Sequence, residues 1–338
     1  MNPKMHRAWR LFALNSCGGM LLLMTIIAAS GQNLFVAQYQ SSNIVEITDG
    51  GVQTTFASVP AMGASALAFD SAGNLYASAY DGNIYKFTPD GTRSLYASGF
   101  AGLSMAFDQS GNLYTVSFGS SVAEISTNGT ESTYATGLED TFGLAFDRTG
   151  NLYVSEGPDG AVAEIETNGT KTTFASGLGD PIGLAFNGEG NLFAMCEIAN
   201  QITEINPEGV TNKFVPVIGN YLEFDAAGNL FLTQISSGAG NGTVVEFAPD
   251  DSQSIFASGL DEPLGLAFQP VPQLQGRAAN GAFQLTVTMP SPFFSTIIQV
   301  STNMVNWSDA YTNLPPFVFT DSVAPLFSNR FYRAVLGH

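Results

Sequence analysis

Beyond residue 30 the apolar positions come in runs of four to six residues, large and small side chains alternating, and each run stops at Gly, Asn, Asp or Pro. Alternation of period two between such stops predicts short β-strands joined by tight turns. The stretch from Pro181 shows a full set. Strand A is Gly-Leu-Ala-Phe (183–186), B is Asn-Leu-Phe-Ala (191–194), C is Gln-Ile-Thr-Glu-Ile (201–205) and D is Thr-Asn-Lys-Phe-Val (211–215). The Asn-Leu-aromatic phrase that opens B recurs at Asn33, Asn74, Asn112, Asn151, Asn191 and Asn229, at spacings of 41, 38, 39, 40 and 38 residues. A period near 40 marks a repeat architecture, and four antiparallel strands per unit is the blade of a β-propeller. The turns agree. A joins B through short Gly-containing segments such as Asp70–Gly73, and C joins D through Asn128-Gly129, Asn168-Gly169 and Asp90-Gly91, a strong hairpin signal.

Counting strands predicts how the ring closes. B, C and D each occur six times from Asn33 on. A also occurs six times, but its first copy is Ala66–Phe69 and its last, Gly265–Phe268, has no B after it. The last A must therefore become the innermost strand of the first blade, beside residues 33–37, which removes an open sheet edge. The expectation is an all-β chain: a six-bladed β-propeller over residues 31–269, with four-stranded blades and a C-terminal closing strand. In A, Leu184 and Phe186 share one face and Gly183 and Ala185 the other, so the large face of one blade fits the small face of the next. The fifth copy, Tyr221–Phe224, departs from this by placing Tyr221 and Glu223 where Gly and Ala stand elsewhere. Glu223 is then a carboxylate near the axis, serving either the channel or a neighbouring backbone amide.

The flanks read differently. Residues 270–274 form a Pro-containing linker, and residues 275–338 a small C-terminal β-sandwich-like module with strands at 283–288, 297–300, 317–320 and 330–335. Trp307 and Tyr332 are expected as its core anchors. Residues 1–30 carry Lys4, Arg7 and Arg10, then an apolar run densest over 20–29, then Ala28 and Ser30 at the −3 and −1 positions of a cleavage site. That is a signal peptide cleaved near Ser30, so a secreted, periplasmic or cell-surface location is expected, with no membrane span after cleavage. Only Cys196 follows Ser30, so no intramolecular disulfide can form; it reads as a buried, inert thiol.

The chain carries a formal net charge of −18, with all 29 acidic residues after residue 30. That balance argues against nucleic acid and anionic lipid as partners. In propellers the B-to-C and D-to-A loops share one face, where ligands usually bind. Here the two loop sets hold Asp81, Glu156, Asp159, Glu197, Glu139, Asp140, Asp180, Asp261 and Glu262, and no Lys or Arg. Tyr39, Tyr80 and Phe118 follow strand B in three consecutive blades. Aromatic faces beside carboxylates suit sugar binding, or the rings cap the blades. Candidate ligand-face residues are Tyr39, Tyr80, Asp81, Phe118, Glu156, Asp159 and Glu197; candidate channel residues are Ser65, Asn220, Tyr221 and Glu223. The Asn-x-Ser/Thr sequences at Asn128 and Asn168 read as turns.

The phrase Pro-x-Gly-Leu-Ala-Phe-Asp-x-x-Gly-Asn-Leu-Tyr-Val resembles the NHL repeat and the gluconolactonase-like and streptogramin-lyase-like propellers, over all six blades. The resemblance implies the fold and no activity. Lactonases of this kind hold a divalent metal at the axis with Glu, Asn and Asp, the last two just before the Gly of strand A. The equivalent positions here are Ser65, Leu103, Phe142, Ile182, Asn220 and Leu264, four of them apolar. Lyases of this shape rely on His, and this chain has only His6 and His338. Neither a Ser-His-Asp nor a Cys-His arrangement can form in the ring. The tail phrases Ser301-Thr-Asn, Asn306-Trp307, Phe319-Thr-Asp321 and Arg330-Phe-Tyr-Arg333 resemble a terminal module of secreted proteins of environmental bacteria. The expectation is a secreted, non-catalytic binding or interaction scaffold that uses an acidic loop face. Its partner would be a protein, peptide or carbohydrate; it would need no cofactor, calcium being the one ion such a face could take, and it would be a monomer. The alternative is a divergent gluconolactonase-like hydrolase or lyase acting at the central channel.

Overall fold

The computed structural model describes residues 9–15, 23–29, 32–60, 63–100, 102–116, 119–157, 159–235, 240–270, 273–279, 282–288, 296–302, 306, 308–313, 317–322 and 329–336. Every regular element among them is a strand. They fall into two compact units, Asn33–Gln269 and a second built from residues 1–32 with 270–338.

The first unit is a ring of six four-stranded antiparallel sheets. The inner strands, A, are Pro263–Phe268 for blade one, then Ala64–Phe69, Ser104–Phe107, Thr141–Phe146, Pro181–Phe186 and Leu222–Phe224. The closure is the one the strand count predicts: Pro263–Phe268 pairs with Leu34–Gln38, Phe268 opposite Leu34 and Leu266 opposite Val36. The fifth copy of A, the divergent one, is the inner strand of blade six and is the shortest of the six, three residues long.

The repeated phrases have physical reasons. Asp70 Oδ1 accepts the backbone N–H of Asn74 at 2.8 Å, and Asp108, Asp147, Asn187 and Asp225 do the same for the Asn four residues on. The Asn side chain reaches strand C in three blades, Asn33 to Glu46 at 2.7 Å, Asn151 to Glu164 at 3.1 Å and Asn191 to Glu204 at 2.7 Å, and donates back to the turn Asp at Asn74, Asn112 and Asn229. The aromatic of strand B joins blades. Phe193 meets Phe214 of its own strand D at 5.2 Å and Phe224 of the next blade's strand A at 5.0 Å, both edge-on. The same pair of contacts recurs at Phe35, Tyr76, Tyr114, Tyr153 and Phe231. Edge-to-face geometry puts the positive ring edge on a negative ring face and adds about 0.5–1.5 kcal/mol per pair beyond burial.

The Gly of strand A is required by close approach of neighbouring blades. A Cβ on Gly183 would lie 2.5 Å from the Asn220 carbonyl oxygen, and one on Gly143 2.4 Å from that of Ile182. The obstacle is backbone, so it cannot rotate away. Gly183→Ala is expected to destabilise the ring by roughly 1–3 kcal/mol, the usual result of overpacking. Urea unfolding of the two proteins would measure it, and an unchanged midpoint would count against this packing.

The second unit holds two sheets. One has strand order Leu23–Ala29, Trp9–Asn15, Asn329–Leu336, Thr296–Ser301, Ser308–Asn313; the other Gln273–Ala279, Ala282–Thr288, Phe317–Asp321. All four strands expected in the tail are present. Gln273–Ala279 starts inside the segment expected as linker, and Ser308–Asn313 adds an edge strand that sequence alternation did not announce. Tyr332 is fully buried and donates its hydroxyl to Asp321 Oδ2 at 3.1 Å, as a core anchor does. Trp307 lies outside the described residues. In the segment read as a signal peptide, Trp9–Asn15 pairs with Leu23–Ala29 and, through Phe12 opposite Tyr332, with Asn329–Leu336.

Candidate functional site

Two places can meet a ligand, and both follow from the ring. Strand A enters from the D-to-A loops, so its first residues lie nearest the loop face. The two loop sets are tied there by backbone bonds: Tyr39 N–H to Glu262 O at 3.1 Å, Tyr80 N–H to Gly63 O at 3.2 Å, Glu197 N–H to Asp180 O at 2.9 Å. The residue just before strand A takes a left-handed backbone in four blades, at Gly63 and at Asp140, Asp180 and Glu262. Asp tolerates that conformation and Glu pays about 1 kcal/mol or more for it. Part of the acidity of this face therefore serves the turn.

The expected ligand-face residues separate here. Tyr39 and Tyr80 touch edge-on, ring centroids 4.9 Å apart at 71°. Tyr39 is half-buried over Gly63, while Tyr80 is 39% exposed. Asp81 is exposed and holds its own turn, accepting from Asn83 N–H at 3.0 Å and the Tyr85 hydroxyl at 2.7 Å. Asp159 and Glu197 are exposed. Glu156 is not a loop acid. It ends strand B of blade four, is buried, accepts the Glu139 N–H at 3.1 Å and lies 3.9 Å from the Lys171 ammonium. The twist of the outer strands brings Lys171 there, beyond what linear spacing reveals. Phe118 lies outside the described residues. The same face also carries exposed Ile198, Ile218 and Ile235 in the loops of blades five and six, Ile198 directly after Glu197. Large aliphatics between Gly and Asn in segments expected as loops were the available signal for them.

The second place is the axis. A narrow cavity of about 50 Å³ is lined by the inner strands, among them Ala66, Ser104, Leu144, Tyr221, Glu223 and Leu266. At about 10–15 Å³ of such volume per water, it holds a handful of waters. Of the four expected channel residues, Tyr221 and Glu223 line it. Ser65 does not: it is buried between blades, its hydroxyl 2.8 Å from both Ser78 Oγ and the Gly102 carbonyl. Asn220 is held by its backbone, its N–H to Thr233 O at 2.9 Å, and its carbonyl lies under Gly183. Ser65 is therefore bonded to the next blade and the Asn220 backbone packs on the preceding one, so Tyr221 and Glu223 are the two of the four that line the cavity.

Glu223 stands where the other blades have Ala68, Ala106, Ala145, Ala185 and Ala267. Burial among aliphatic inner strands pushes its carboxyl up to about 7, with the Phe224 N–H opposing the rise. Burial also raises the Tyr221 phenol, with a smaller contribution from Tyr80. Cys196 is fully buried and its thiol is pushed up by burial, so it offers no nucleophile. Among the described residues no three His, Cys, Asp or Glu side chains come together as a metal-binding group.

No protein-family model matches the chain, and the curated proteins gave no match. Solved structures do. Virginiamycin B lyase from Staphylococcus aureus aligns at 15% identity with a TM-score of 0.55, over 82% of this chain and 95% of the lyase. The same lyase in a catalytically inactive histidine-to-alanine form with quinupristin aligns at 14% identity and 0.50, over 82% and 96%. A protein of unknown function from Bacteroides caccae aligns at 17% identity and 0.56, over 71% of this chain and 99% of that one. At these identities the likeness is one of fold alone, that of a β-propeller; with six four-stranded sheets of its own, the chain is a six-bladed β-propeller.

Proposed function

We propose that the protein is a non-catalytic binding scaffold acting outside the cytoplasm, and that its ligand meets the face made by the B-to-C and D-to-A loops. The observation that carries this reading is the Tyr39–Tyr80 pair, two rings in contact with one of them exposed, among loops that contain no Lys or Arg. Exposed aromatic surface next to acids suits a carbohydrate or a basic peptide. The absence of histidine from the ring supports it further, because the lyase with the same fold is catalytically inactive when one histidine becomes alanine.

The test is a titration of the purified chain against neutral and uronic oligosaccharides and basic peptides, followed by the same titration of Tyr80→Ala. Removing an exposed aromatic anchor is expected to weaken binding at least roughly tenfold with little change in Tm. A ligand that binds Tyr80→Ala as well as the parent chain would move the site elsewhere. Export is tested separately: the secreted protein should begin at Gly31. Cleavage there removes both strands at 9–15 and 23–29, leaving the Asn329–Leu336 edge without that partner.

A second reading keeps catalysis at the axis, favoured by the raised carboxyl of Glu223, which at about 7 sits where a general acid or base works. Lactone hydrolysis by the parent chain, lost in Glu223→Gln, would support it.

A further inference from the structure

Glu223 is a carboxylate without a counter-ion. Among the described residues the two ion pairs are Lys86 with Asp70 and Lys171 with Glu156, both away from the axis. The groups facing Glu223 are Tyr221 on its own strand and Ala66, Ser104, Leu144, Gly183 and Leu266 from the other inner strands, none of them cationic. Five of the six inner strands place Ala at this position, so the ring does not need a carboxylate there.

We propose that the axial cavity binds a primary alkylammonium group, its head against the Glu223 carboxylate and its alkyl stem along Tyr221. The cavity, of about 50 Å³, holds a handful of waters and so has room for an ammonium and its first methylenes. One carboxylate with mostly aliphatic walls suits an ammonium, which has three donors and an apolar stem. It does not suit a divalent cation, which needs six or more oxygen ligands. Tyr221 lies two residues nearer the loop face than Glu223, and a phenol ring face beside the path attracts a cation. The side chain of a lysine, a terminal amine of a polyamine and a free alkylamine share this chemistry. The site goes beyond the loop-face reading, since its residues lie inside the ring.

Charge on Glu223 and charge on the ligand are linked. With the carboxyl at about 7, binding of the ammonium form favours ionisation, so near neutral pH a proton leaves the carboxyl as the amine enters. The experiment is calorimetric titration of the full chain with n-butylammonium at about pH 8 and about pH 5.5, in two buffers of different ionisation enthalpy. Saturable binding is expected at the higher pH, at least roughly tenfold weaker at the lower one. Glu223→Gln, near-isosteric and neutral, should lose at least roughly tenfold in affinity while its Tm holds or rises. Tetramethylammonium and butyrate should not bind. Absence of saturable heat in the parent chain, equal affinity in Glu223→Gln, or calcium binding at Glu223 in place of the amine would each overturn the proposal. Tyr80→Ala keeps the two sites apart: it should lose the loop-face ligand and retain n-butylammonium within a few-fold.

Discussion

Glu223→Gln is expected to make the propeller more stable at about pH 8 and to leave it nearly unchanged at about pH 4. The folded carboxyl titrates near 7 against an ordinary value of 4.5. Below 4.5 the group is protonated in both states and costs nothing. Between 4.5 and 7 the unfolded chain ionises while the folded chain resists, so stability falls as pH rises and the loss is complete above 7. The shift corresponds to about 3 kcal/mol, reduced to roughly 2 because the cavity admits solvent to the side chain. For a ring of this size that is a Tm difference of about 4–8 °C. Glutamine keeps the shape and removes the titration, so the difference between the two proteins across pH isolates this group from the many surface carboxylates. Denaturation curves at four or five pH values would measure it. Parallel curves would mean that Glu223 is well solvated and that the axial site has lost its physical basis.

The ring was legible in the chain because each blade repeats the same turn chemistry. The Asn of five of the six B phrases is fixed by an Asp or Asn four residues earlier, and the closing strand announces itself as an A without a B. Tyr221 and Glu223 were legible for the same reason, as departures from a repeat. Ser65 and Asn220 were misplaced because strand spacing fixes which face a residue takes, and does not say whether that face meets the axis or a neighbouring blade. The partner of Ser65 is a carbonyl 37 residues away. Glu156 was read as a free loop acid, since nothing in the sequence shows that the tilt of an outer strand carries Lys171 to it. Asp140 and Asp180 share a cause hidden from composition, the left-handed residue before strand A, which Asp tolerates and Glu262 adopts at a cost. A face that looks purely electrostatic in sequence is partly a backbone requirement.

Phe231→Ala is expected to cost about 3–5 kcal/mol, the usual loss for a buried phenylalanine, and to lower Tm by around 10 °C. The residue is 3% exposed, between Phe256 at 5.0 Å and Phe268 at 4.9 Å. Those contacts make it the aromatic joint between blade six and blade one. The same ladder joins every other pair of blades, and at every junction the chain runs from strand D of one blade into strand A of the next; elsewhere that strand A continues through a hairpin into the B strand of its own blade. At this seam the closing strand Pro263–Phe268 is hydrogen-bonded to Leu34–Gln38, some 230 residues earlier, so closure rests on non-covalent contacts between the two ends of the ring. Phe193→Ala removes an equivalent ring between Phe214 and Phe224 inside continuous chain. Both variants should lose similar global stability, since both leave a cavity of one phenyl ring. They should differ in local opening. Phe231→Ala is expected to exchange amide hydrogens faster over 263–268 and 34–38 and to be cleaved there first by a protease, while Phe193→Ala should show no such focus. Hydrogen exchange on the two variants would decide it, and equal protection of the closing strand in both would mean that backbone pairing alone holds the ring shut.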